Sequence, residues 1–153
     1  MRSPARAVRL GTIVSLAVML ASCADLVDTE LGLDAQIASV AITVSPENLL
    51  SFEGDVTARV GEHAEGTRRF TSTHVDFLVG SEYIGSINPT YPSDFDFMIA
   101  PGESRSGAVF GSVTFDNASI ACGAEVTVLL RWTDGTTGEL GMFETTTTDV
   151  TCM

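Results

Sequence analysis

"AEVTVLLRW", Ala124–Trp132, is the stretch whose reading decides the fold. Ala124, Val126, Val128, Leu130 and Trp132 fall on one side of it, and Glu125, Thr127 and Arg131 on the other, with Leu129 the one apolar exception. Successive side chains of a strand point to opposite faces, so this period of two predicts a strand with a core face and a wet face. The loop "TDGTTG" follows, and "ELGMFETTTTDVTC" reads as the returning strand of a hairpin. Thr145–Thr148 fit as strand formers on a half-exposed surface. A turn centred on Thr137 sets Cys122 opposite Cys152 at the open end of that hairpin, where antiparallel Cβ atoms come close enough to be bridged. A bulge in either strand would break this register.

The same pattern extends toward the N-terminus. "ASVAITVS" puts Val40, Ile42 and Val44 on one face before a turn at Pro46-Glu47-Asn48, and "DVTARV" repeats it with Val56, Ala58 and Val60. Gly61–Thr73 is polar and charged and reads as a loop. "HVDFLVG" and "EYIGSI" read as a hairpin around Gly80-Ser81, a pair suited to a type II′ turn because glycine accepts positive φ at the first position. "FDFMIA" runs into the Pro-Gly turn of "PGES", and "GAVFGSVTF" then places Val109, Gly111, Val113 and Phe115 together. About seven to eight short strands between Ala38 and Met153 predict an all-β, antiparallel sandwich with Greek-key-like connections.

The beginning of the chain differs in character. Arg2, Arg6 and Arg9 precede a largely apolar run from Leu10 to Leu20, the layout of a secretory signal peptide. The run is well short of the roughly 20 residues a membrane-spanning helix needs. It ends in Leu20-Ala21-Ser22-Cys23, which resembles the lipobox of bacterial lipoproteins. That resemblance implies cleavage before Cys23, a diacylglyceryl group on its thiol, an acyl chain such as palmitate on the new amino terminus, and attachment to a membrane. Several acyl chains on one residue hold stably where one holds only marginally. The competing reading makes Cys23 a buried thiol of a cytosolic protein. On the lipoprotein reading the chain divides into a signal peptide (1–22), a lipidated acidic tether (23–37) and a sandwich (38–153). The tether carries Asp25, Asp28, Glu30 and Asp34, and becomes a short helix instead if Leu26, Leu31 and Leu33 find a surface to cover. Ala24 after the lipidated cysteine points to the outer membrane under the sorting rule of enteric-type bacteria, with Asp25 one place later.

Lipidation of Cys23 leaves Cys122 and Cys152 as a pair, and in an oxidising exported compartment such a pair forms a disulfide. Closing that loop stabilises the fold by about 3 to 4 kcal/mol in the chain-entropy account. "VDFLVGSEYIGS", "FDFMIAPGES" and "AEVTVLLRWTDG" together are similar to the strand sequence of bacterial immunoglobulin-like or fibronectin-type-III-like domains over Ala38–Met153. The resemblance implies an immunoglobulin-like sandwich. The chain departs from true immunoglobulins because Trp132 follows Cys122 on the same expected strand and the cysteines fall on neighbouring late strands.

Charge narrows the partners. The whole chain carries −12, has no lysine, and without its three leader arginines sets five arginines against twenty acids, about −15. Phosphate binding relies on clusters of Lys and Arg, so nucleic acid is excluded and anionic lipid disfavoured as a binding surface.

Candidate chemistry is sparse. His63 lies in "GEHAEG", which lacks the second histidine of a zinc-protease helix and reads as a solvated loop. His74 and Asp76, two apart on a strand, share a face as base and orienter, as metal ligands, or simply as surface residues at a strand start. Asp94 with Asp96, Asp116 with Asn117, and Asp134 are oxygen donors that calcium could use, without the dense spacing of a calcium loop; solvated surface is the other reading. Asn117-Ala118-Ser119 fits a glycosylation acceptor and reads as a turn. In "NPTYPSD", Pro89 and Pro92 stiffen the chain around Tyr91, either a rigid contact residue of a binding loop or a ring folded over the end of the sandwich. No catalytic residue, metal site or cofactor beyond the covalent lipid on Cys23 is expected. The expected function is that of a non-enzymatic envelope lipoprotein whose sandwich binds or supports other envelope proteins. The alternatives are an accessory subunit of a larger membrane complex, and a hydrolase or metal-dependent enzyme using His74 and Asp76.

Overall fold

The computed structural model describes residues 32–153, so Cys23 and the leader lie outside the described residues. The described chain is all-β and forms two packed sheets. The strands are β1 (Leu33–Val44), β2 (Leu49–Val60), β3 (Arg68–Val79), β4 (Glu82–Ile87), β5 (Met98–Ile99), β6 (Ser104–Thr114), β7 (Val126–Asp134), β8 (Leu140–Thr147) and β9 (Val150–Cys152). One sheet has the order β6-β2-β1-β9, the other β4-β3-β7-β8, and β5 adds to the start of β3. Every pairing is antiparallel except that of β9 with β1.

The inner faces supply the core. Val126, Val128, Leu130 and Trp132 of β7 are all buried, as their alternation requires. Val40, Ile42 and Val44 face them from β1, and Phe52 of β2 meets Phe77 of β3 across the sheets at 5.2 Å between ring centroids. The Trp132 ring lies directly over Gly141, the residue opposite it on β8, where any Cβ would stand 2.1 Å from Trp132 Cε2.

Several boundaries differ from the sequence expectation, each for a local reason. β1 begins at Leu33 rather than Ala38, because Ala35 and Ile37 are already buried against β2, so Leu33–Ile37, expected outside the sandwich, belong to it. A bulge at Ser39, with φ of 54°, shifts the β1–β2 register and hides this continuity. Gly54 accommodates the bulge, since a Cβ there would lie 3.2 Å from the Ala38 carbonyl oxygen. The expected loop Gly61–Thr73 ends at Thr67, and Arg68–Thr73 belong to β3. Phe70 is fully buried, and Arg68 turns inward to pair with buried Asp134 at 3.4 Å. A second bulge, between Ser72 and His74, then moves the inward set to Val75 and Phe77.

Turn chemistry follows the residues. Gly80 has φ of 60° and joins the closing pair Val79 and Glu82 through a two-residue loop. Gly102 has φ of 79° after Pro101, with Glu103 N–H donating to the Ala100 carbonyl, which is the type II pattern.

The last strand departs most from expectation. "ELGMFETTTTDVTC" is not one return strand: β8 ends at Thr147, and after Asp149 the chain crosses to the other sheet, where Val150–Cys152 run parallel to Ile42–Val44. The β7–β8 register pairs Val126 with Thr147, one residue away from the register that would set the cysteines opposite each other. Cys122 stands outside β7, just after the 3-10 turn Ala118–Ala121. Cys122 and Cys152 are nevertheless bonded, with Cα atoms 6.0 Å apart. Their bond links the segment leading into the β7 sheet to the edge of the β1 sheet, so it ties the two sheets together instead of closing a hairpin.

Candidate functional site

Outward-facing residues of the second sheet build the most structured polar site among the described residues. Val75 and Phe77 point inward, so His74 and Asp76 must point out. Register then brings their neighbours: His74 lies opposite Arg131 on β7, and Asp76 opposite Ser86 on β4. Asp76 is only 5% exposed despite lying on the outer face. Its Oδ2 accepts a hydrogen bond from Arg131 Nε at 2.6 Å, and its Oδ1 accepts one from the Ser86 hydroxyl. With its proton directed to Asp76, the Ser86 oxygen accepts a hydrogen bond from the Tyr83 hydroxyl, which completes a chain from Tyr83 to Arg131. His74 Nε2 approaches Asp76 Oδ1 at 3.5 Å. Around this chain lies a shallow depression of about 530 Å³, flanked by Tyr83 on one side and Leu140 on the other.

The order of the groups defines what they can do. A nucleophile relay places histidine between hydroxyl and carboxylate. Here Ser86 bonds to Asp76 itself, and both carboxylate oxygens are occupied by donors. The arrangement holds Asp76, Ser86 and Arg131 against one another across three strands. Exposed apolar side chains crowd its border: Leu140 is 83% exposed, Met142 54% and Tyr83 52%.

The other candidates separate. The half-buried Tyr91 ring packs into an aromatic cluster, with centroids 4.8 Å from Phe95, 5.2 Å from Phe97 and 6.0 Å from Phe70. Pro89 and Pro92 are half-buried beside it. Burial pushes the Tyr91 phenol up to about 12, with the neighbouring Ser72 hydroxyl pulling weakly the other way. The Tyr91 and Ser72 hydroxyls neighbour each other, both buried, and neither makes a hydrogen bond of ordinary geometry among the described residues. Tyr91, Phe95 and Phe97 all fall on odd positions, a signal that was available in the sequence.

Of the residues considered for calcium, Asp96, Asn117 and Asp134 engage different neighbours. Asp96 accepts from the Met98 N–H at 2.9 Å and lies 3.8 Å from Arg105 Nη2. Asn117 donates to the Tyr83 carbonyl at 3.1 Å. Asp134 pairs with Arg68 and accepts the Thr136 N–H at 2.8 Å, which organises the β7–β8 turn. Among the described residues no three His, Cys, Asp or Glu gather where they could hold a metal ion. His63 lies on the exposed β2–β3 loop. No helix among the described residues is long and apolar enough to cross a membrane.

Fold and site together define an all-β sandwich with a pinned ion pair on one outer face. No family model matches the chain, and no curated protein matches it. Among solved structures it is similar to YcdA of Bacillus subtilis subsp. subtilis strain 168, a protein named as a lipoprotein, at 15% identity and a TM-score of 0.47. The likeness covers 76% of this chain and 37% of that one.

Proposed function

We propose that this chain is a non-enzymatic lipoprotein of the bacterial cell envelope, held by lipid on Cys23, whose sandwich binds or supports other envelope proteins. The observation that carries the binding role is the exposed trio Tyr83, Leu140 and Met142 around the fixed Asp76–Arg131 pair. Exposed large apolar side chains gathered on one face mark a protein contact, where aromatic, Met and Arg residues are enriched. The lipid anchor is supported by Arg2, Arg6, Arg9, the apolar run and Leu20-Ala21-Ser22-Cys23, and an outer-membrane location by Ala24. We read the sandwich as immunoglobulin-like, supported by the strand orders β6-β2-β1-β9 and β4-β3-β7-β8. Against catalysis stands the order of the groups, since Ser86 bonds directly to Asp76 with no histidine between hydroxyl and carboxylate.

The same face would serve an accessory subunit of a larger membrane assembly, and one experiment addresses both forms. Extracted from membranes in mild detergent, the wild-type chain is expected to co-purify with partner proteins, and a Leu140→Asp, Met142→Asp double variant to lose them. Both positions are exposed, so the fold itself tolerates the charges. Recovery of the wild type only as a free monomer, or an unchanged partner set with the double variant, would contradict the reading.

A further inference from the structure

The outer face of the other sheet has a different chemistry, and nothing in the reading above uses it. On β6, Phe110 is 58% exposed although its backbone is held on both sides. It pairs with Glu53 of β2, and beyond the sheet edge it exchanges two hydrogen bonds with Thr90, at 2.8 and 3.2 Å. The ring is thus presented on a rigid strand. Register builds a polar row beside it: Ser112 lies opposite Ser51, Ser51 opposite Thr43, and Thr43 beside Thr151 of β9. Four hydroxyl-bearing residues therefore cross all four strands, at the strand spacing of about 4.8 Å. Glu53, directly opposite Phe110 on β2, shares the same face and lines the same depression.

A shallow depression flanks Phe110 on each side. One, of about 450 Å³, is lined by Thr43, Ser51, Glu53 and Ser112; the other, of about 380 Å³, by Asn88 and Thr90. Both are open, and each mixes polar and apolar lining in about equal parts, which suits an extended amphipathic ligand lying across the ring better than a compact apolar one.

We propose that this face is a binding platform for a neutral polysaccharide. A pyranose ring presents a face of C–H groups, which carry slight positive charge and pack against the negative face of an aromatic ring. Its hydroxyls need both donors and acceptors around the rim, and serine, threonine, asparagine and glutamate supply both. The rigid ring and short side chains lose little conformational freedom on binding. The neighbouring acids Glu53 and Asp55, within a chain of −12, repel anionic polymers, so the ligand is an uncharged chain. The site lies on the opposite sheet from Tyr83, Leu140 and Met142, and does not depend on lipid anchoring or on protein docking.

The test is native affinity electrophoresis of the full chain, purified in mild detergent, through gels containing a soluble β-glucan, a mannan, a xylan, or the polyanion alginate. Retardation is expected in at least one of the three neutral polymers and not in alginate. Phe110→Ala is expected to weaken it by about tenfold or more, and Phe110→Tyr to preserve it. Ser51→Ala with Ser112→Ala provides an independent reduction that leaves the ring in place. Circular dichroism and melting of Phe110→Ala should match wild type, since the side chain is exposed. Unretarded migration in all three neutral gels, retardation confined to alginate, or equal retardation of Phe110→Ala would overturn the proposal.

Discussion

Tyr91 illustrates how little a residue's type says about its role. Two prolines fix the chain around it, as "NPTYPSD" suggests, but they fix it inward, where Phe70, Phe95 and Phe97 enclose the ring. The phenol at about 12 lies above its ordinary value of about 10, so folding favours the neutral form. Between these values the unfolded chain has released the proton and the folded chain retains it. The stabilising contribution is therefore complete below pH 10 and lost as pH rises from 10 through 12. Melting temperature against pH should fall more steeply above pH 10 in wild type than in Tyr91→Phe; parallel curves would contradict this assignment. Phenylalanine should also be tolerated at neutral pH, because it removes a buried hydroxyl that makes no hydrogen bond of ordinary geometry among the described residues. Asp76 is the converse case, a carboxylate on an outer face whose partners come from two other strands, Ser86 from β4 and Arg131 from β7. The sequence shows His74 and Asp76 sharing a face, but Ser86 and Arg131 join them only through register.

At the scale of elements, legibility tracked how far local alternation remained uninterrupted. β7 was readable because Val126, Val128, Leu130 and Trp132 run without a break between two covering strands. β3 was only half readable: a buried arginine at Arg68 imitates a loop residue, and the bulge before His74 changes the phase. β9 was unreadable as a separate strand, since alternation says which residues share a face but not which sheet they join. Its three residues are exposed or half-buried and make one short parallel pairing, so the bond to Cys122 is what holds this strand in place. Reduction, or Cys152→Ser, is expected to lower unfolding free energy by about 3 to 4 kcal/mol, given a sequence separation of 30. The Ile42 N–H, which donates to the Asp149 carbonyl at 2.9 Å, should then exchange with solvent far faster. Unchanged stability together with unchanged exchange at Ile42 would show that β9 is held by its packing alone.

On the scale of the whole molecule, the two sheets present unlike surfaces and the two ends unlike charge. Arg59, Arg68, Arg69 and Arg105 lie toward the end where β1 starts, among Asp34, Glu62, Glu65, Glu103, Asp134 and Glu139, while the far end carries Glu47, Glu82, Asp116, Glu125 and Asp149 and no basic residue. The envelope role proposed above, docking through the Tyr83, Leu140 and Met142 face, presupposes a domain held at the membrane by Cys23. Metabolic labelling with radioactive palmitate, comparing wild type with Cys23→Ser, tests this most directly. The account predicts a labelled, membrane-associated wild type and an unlabelled variant that accumulates with its leader uncleaved. Equal label in both, or none in either, would contradict it.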